Sequence, residues 1–108
     1  MSDYFLHEMS DSLKEALKGG NSTQKDVIEW VDSYLTTLEG GMLYASLLHH
    51  WNFIRFTHPL SKFGYMKGVH DTLLAQGLID DDTYYKSIAI NIHILQEETN
   101  ERLDRDEG

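Results

Sequence analysis

The 108-residue sequence contains no cysteine and a single proline, and it has half as many basic side chains as acidic ones. Without cysteine there is no disulfide framework, no thiolate zinc site and no cysteine nucleophile. Long hydrophobic runs are also missing. The most apolar stretch, residues 42–56, is broken by His49, His50, Asn52 and Arg55 and is shorter than the ~20 residues needed to span a bilayer. No G-x-S-x-G turn, no glycine-rich loop after a strand and no paired Glu-x-x-His segments occur. Ser46 lies inside the apolar run LYASLL. His70 and Asp71 are sequence neighbours, which points their side chains apart on a helix. These absences predict a non-enzymatic chain with no catalytic residues, cofactor or intrinsic metal. The first residues, MSDYFLHEM, are acidic where a secretory signal is basic, and this predicts a cytoplasmic protein.

The charge that is present is unevenly placed. Eighteen Asp and Glu against nine Lys and Arg give a net charge of −9. Residues 1–39 carry eight acidic and three basic side chains, residues 40–79 one and three, and residues 80–108 nine and three. Acidic ends flanking a weakly basic middle repel phosphates and anionic membranes and attract basic protein surfaces.

Helical periodicity dominates the chain, and the predicted fold is an all-α, single-domain compact bundle of about five helices. The first helix is expected from about Asp3 to Lys18, with Leu6, Met9, Leu13, Ala16 and Leu17 on one face, ending at Gly19-Gly20. A second follows to about Glu39, with Val27, Val31, Tyr34, Leu35 and Leu38 inward, and Gly40-Gly41 closes it. The third, residues 42–57, is apolar on two sides and is expected to be the central helix: Leu43, Tyr44, Leu47, Trp51 and Ile54 form one stripe, Met42, Ala45, Phe53 and Phe56 another. Pro59 ends it. Ser61 is the expected cap of a fourth helix to about Gln76, with Tyr65, Met66, Val69, Leu73 and Leu74 inward. Gly64 and Gly68 mark either a close helix approach or a break. Gly77 then supplies a C-terminal turn, and Asp80-Asp81-Asp82 opens the last helix.

In that last segment Ile88, Ile90, Ile92 and Ile94 alternate as a strand would. A lone strand has nothing to pair with, while Tyr84, Tyr85, Ile88, Ile92, Leu95 and Leu103 share a helical stripe. A helix from about Asp82 to Leu103 is therefore expected, with residues 104–108 a frayed acidic tail. It leaves Ile90 and Ile94 as a second apolar strip, which favours a symmetric homodimer. The expected core comprises Val31, Leu35, Leu47, Trp51, Ile54, Ile88, Ile92 and Leu95.

Three functional classes are then weighed. His93 and Glu97, four apart on one helical face, could share a metal ion, which would make a histidine–carboxylate metal-binding protein. The helix-turn-helix arrangement of LLAQGLIDDDTYYKSI would aim Asp80, Asp81 and Asp82 at DNA phosphates, which excludes direct nucleic-acid binding. Interaction remains. Carboxylates at Asp80, Asp81, Asp82, Glu97, Glu98, Glu101 and Asp104 on the last helix, with Glu29 and Asp32 on the second, are expected to meet a basic protein surface. Tyr4, Trp30, Tyr84 and Tyr85 would supply specificity. Such a surface can stand in for nucleic acid in a basic groove, as phage-type inhibitors of host defence do. The competing class is a structural subunit or assembly factor that uses an apolar helix face. No membrane association is expected.

Overall fold

A computed structural model describes residue 9 and residues 11–18, 25–55 and 57–107, with side chains except those of 12, 16, 18, 25, 26 and 102–107. Five helices follow one another: α1 (Asp11–Lys18), α2 (Lys25–Tyr34), α3 (Leu38–Phe53), α4 (Pro59–Ala75) and α5 (Asp81–Glu107). No strand occurs among the described residues. The expected start of the first helix at Asp3, and the Tyr4 and Leu6 side chains, lie outside the described residues.

The connections differ from the expected glycine stops. α2 ends at Tyr34 because Thr37 caps the next helix: its backbone is extended (φ −86°, ψ 158°) and its Oγ1 accepts the Gly40 N–H at 2.9 Å. The same hydroxyl donates to the Tyr34 carbonyl at 2.6 Å, so one threonine closes α2 and opens α3. Gly40 and Gly41 therefore lie inside α3. Gly40 is required for a close approach, since a Cβ there would lie 2.0 Å from the Tyr34 carbonyl oxygen. α3 stops at Phe53, where Ile54 turns extended (ψ 131°), four residues short of the expected end.

Pro59 begins α4 instead of merely ending what precedes it. Its missing N–H is no loss in a first turn, and His58 rather than Ser61 is the cap, with its Nδ1 accepting the Leu60 N–H at 3.1 Å. The helix continues unbroken past Gly64 and Gly68, both exposed and neither with a neighbour among the described residues within 4 Å of an added Cβ. Neither a break nor a close approach explains them. Tyr65, expected inward, is exposed, whereas Met66 and His70 are buried. At the end of α4, Gly77 takes φ +72°, and the Gly77 and Leu78 N–H groups bond the Leu74 and Leu73 carbonyls. That is a Schellman turn, as Gly77 implied.

α5 is the helix around which the others pack: α1, α2, α3 and α4 all contact it. Ser87 through Ile92 and Ile94 are all buried. A helix enclosed on every side needs apolar residues around its whole circumference, and this explains both the isoleucine alternation and the lack of a single stripe. Two expectations are thereby corrected. The 42–57 segment is not the central helix, since within α3 only Gly40, Leu47 and Trp51 are buried. Ile90 and Ile94 are core residues at 0% and 2% exposure, so they offer no strip to a second copy. α5 also keeps helical backbone to Glu107, beyond the expected end at Leu103.

Val31, Leu47, Trp51, Ile88 and Ile92 are core residues as expected, with Leu35, Ile54 and Leu95 partly buried against them. Met9, Leu17, Val27, Tyr34 and Met66 belong to the same cluster, as do Trp30, Tyr85, Ala89, Ile90 and Ile94. No described helix is long and apolar enough to cross a membrane.

Candidate binding cleft between α3 and α5

Helical spacing puts Glu97 and Glu101 on one ridge of α5, one turn apart, with Glu98 beside them. α3 packs alongside α5 and brings Tyr44, Leu48, Trp51 and Asn52 to this ridge. The result is a cleft of about 150 Å³ lined by Tyr44, Leu48, Trp51, Asn52 and Ile94 together with the three carboxylates. The Tyr44 hydroxyl donates to Glu97 at 2.7 Å, and the Trp51 Nε1–H donates to Glu98 at 3.1 Å. Lys62 of α4 reaches the other Glu98 oxygen at 3.5 Å, and its ammonium stands 5.9 Å from the Trp51 ring centroid. Among the described side chains, three carboxylates thus face one ammonium. Partial burial, the hydrogen bond to Glu97 and the charges of Glu97 and Glu101 push the Tyr44 hydroxyl up to about 12, so it remains a donor at neutral pH.

The opposite end of α5 is arranged differently. Asp80 caps the helix by accepting the Thr83 N–H at 2.8 Å. That bond holds its carboxyl below the usual carboxylate range. Asp82 pairs with Lys86 at 2.9 Å, and Lys86 also meets Glu39 at 3.5 Å. Tyr34 donates to Glu39 at 3.0 Å. Partial burial opposes ionisation of Asp71, yet bonds from Tyr84 and Lys67 and the Lys67 charge hold it ionised below the ordinary range. Acidic groups here are mostly matched by lysines of the same molecule, whereas among the described side chains of the cleft rim Lys62 is paired with Glu98 and no lysine is paired with Glu97 or Glu101.

The residues singled out from sequence therefore separate. Glu97, Glu98 and Glu101 come together. Asp80, Asp81 and Asp82 lie 15 to 21 residues earlier, at the start of the same helix, roughly 22–32 Å away at 1.5 Å per residue. Glu29 and Asp32 are exposed on α2, and the Asp104 side chain lies outside the described residues. Two of the proposed aromatic anchors are corrected. Trp30 and Tyr85 are buried at 8% and 9% exposure, Trp30 stacking on Tyr34 at 4.8 Å between centroids. Their rings fill the core because α1 and α2 close over α5 there. Tyr84 is half-buried and bonded to Asp71.

His93 Nε2 lies 3.4 Å from Glu97 Oε1. Among the described residues no group of three or more His, Asp or Glu is placed to hold a metal ion. Tyr44, Trp51 and Lys62 were not identified from sequence as partners of the carboxylates. The amphipathic character of Tyr44 and Trp51 was a usable signal, but the register of α3 and α4 against α5 was not. No family model, curated protein or solved structure matches the chain.

Proposed function

We propose that this is a non-catalytic acidic binding protein, regulatory or inhibitory in role, that engages a basic surface of a larger protein. The observation that carries the proposal is the cleft in which Glu97, Glu98 and Glu101 converge beside Leu48 and Trp51. At about 150 Å³ it is smaller than the ~300–1,000 Å³ of small-molecule sites, and it suits one extended side chain. Arginine and lysine match it chemically, with a cationic head for the carboxylates and an aliphatic stem for the half-buried Leu48. Asp80 and Asp81 at the far end of α5 carry the same charge roughly 24–32 Å further along one rod, a spacing on the scale of one duplex turn, ~34 Å, which supports nucleic-acid mimicry as the mode of binding.

A titration with an arginine-rich peptide tests this directly. Trp51 is the reporter in a Trp30→Phe background, because its indole N–H is bonded to a rim carboxylate. Emission should change saturably at ~0.05 M salt, and the affinity should fall steeply by ~0.5 M, as screening of exposed charges requires. Glu97→Gln combined with Glu101→Gln should abolish the response, and nucleic acid should compete for the peptide. A salt-insensitive complex, or one unaffected by the double substitution, refutes the proposal and favours an assembly role through apolar contacts.

A further inference from the structure

A second hollow lies between the C-terminal end of α3 and the middle of α4, and it shares no residue with the carboxylate cleft. It holds about 310 Å³ and is lined by His50, Phe53, Ile54, Arg55 and Tyr65. Aromatic rings dominate that lining. Phe53 is 71% exposed, and the His49 ring stands edge-on to it at 4.9 Å. The His50 and Tyr65 rings meet edge to face at 5.9 Å between centroids. Arg55 is the one permanently charged side chain of the five, and in a chain of net charge −9 no described carboxylate lines the hollow. Among the described residues the guanidinium has no ion pair or hydrogen bond, whereas Lys62, Lys67 and Lys86 each hold a carboxylate. The negative end of the α3 dipole favours a cation at Arg55, but it amounts to only about half a charge.

We propose that this hollow binds a small aromatic carboxylate. Each part of that ligand answers to a feature of the site. The volume stands at the lower end of the ~300–1,000 Å³ of small-molecule sites, which admits one ring or two fused rings. A flat ring packs edge to face or offset-stacked on Phe53 and Tyr65, the arrangements that aromatic quadrupoles favour. Arg55 presents a planar fork of donors, which a carboxylate meets with two parallel hydrogen bonds. A single cation also selects a monoanion. A phosphate dianion would bring a second, uncompensated charge to a molecule whose own field is already negative. A cationic ligand would meet Arg55 with like charge and is drawn instead to the carboxylates between α3 and α5.

Titration of the full chain with naphthoate, its neutral amide and the matching cationic amine tests this, with backbone amide chemical shifts as the readout. Naphthoate should saturate with a dissociation constant of about 0.1–1 mM, the range open to a ligand of this size. It should shift the amides of His50, Phe53, Ile54, Arg55 and Tyr65. The neutral amide should bind the same residues about tenfold more weakly, the worth of one charge-assisted hydrogen bond, and the amine should leave them unshifted. Arg55→Gln should bring naphthoate to the level of the neutral amide without altering the latter. Phe53→Ala should weaken both about fivefold through the lost ring contact. Leu78→Ala, at an exposed apolar position elsewhere, should weaken neither. Phe53 and Arg55 are exposed, so helicity should be unchanged in all three variants. No saturation up to ~10 mM, shifts centred on other residues, equal affinity for the three probes, or an Arg55→Gln protein that still prefers naphthoate would each overturn the proposal.

Discussion

A methyl group added at Gly40 would meet the Tyr34 carbonyl oxygen at 2.0 Å and its carbon at 2.7 Å, whereas one added at Gly64 or Gly68 would meet nothing within 4 Å. The same substitution should therefore have opposite signs in neighbouring helices. Gly64→Ala and Gly68→Ala should each stabilise by about 0.5–1 kcal/mol through lost unfolded-state entropy, and Gly40→Ala should destabilise by forcing α2 and α3 apart. Urea midpoints of the three variants check this, and a stabilised Gly40→Ala protein would contradict the close approach. Trp51, at 1% exposure, should cost about 3–5 kcal/mol when truncated to alanine. Asn91 points the other way. It is fully buried, and neither its amide oxygen nor its nitrogen has a partner among the described residues. Asn91→Leu should raise the thermal midpoint, since an unsatisfied buried amide costs about 1–3 kcal/mol. A marked fall would show that the amide is satisfied or that the site cannot take the branched side chain.

Helix ends set the acid response. Asp80 and Asp71 are held below the ordinary carboxylate range in the folded state, so each contributes stability that is complete above the unfolded value near ~3.9. It is lost as pH falls through the depressed folded value. Stability measured by urea unfolding should therefore decline below about pH 4. Asp80→Asn should flatten that decline while preserving the cap, because asparagine caps as well as aspartate. On the alkaline side the sign reverses. Tyr44 is raised to about 12 and Lys86 is also raised, burial opposing its charge while Asp82 and Glu39 favour it. Their contribution is intact below about pH 10 and is lost above it. Tyr34 and Tyr84 are raised as well by burial and by their bonds to Glu39 and Asp71, so ultraviolet titration should show several late-ionising tyrosines, of which Tyr44→Phe removes one.

At this same scale the sequence was partly legible. The Gly77 turn, the Asp80 cap and the five-helix count follow from local chemistry that needs no knowledge of neighbours. The two errors at Gly40 and Pro59 have one cause. Each residue can either stop a helix or sit in its first turn, and the choice rests on whether Thr37 and His58 are free to cap. The role of α5 was hidden for a different reason. Its isoleucines were weighed against templates for half-buried elements, and a fully enclosed helix fits neither.

For the whole molecule, two surfaces of different character lie on α3. One side of the helix meets the carboxylate cleft, and its C-terminal end opens on the hollow lined by Arg55. The cleft was legible only as a list of acidic residues, because periodicity places Glu97, Glu98 and Glu101 together on α5 but not beside Tyr44 or Trp51. Nor does periodicity distinguish Asp82, neutralised by Lys86, from Glu101 on the rim.

The placement of α5 at the centre has a consequence for synthesis. Of the five helices it is the last to leave the ribosome, yet each of the others rests on it. Until about residue 95 has emerged, α1 to α4 have no shared core to join. The nascent chain must then hold Val31, Leu47, Trp51 and Met66 exposed, and domains that fold late in this way are vulnerable to aggregation and to proteases. A ribosome stalled before residue 80 should carry a chain that protease digests at the same rate as an unfolded control, with protection appearing abruptly, not helix by helix, once α5 is clear of the exit tunnel. Gradual protection from the first two helices onward would contradict this.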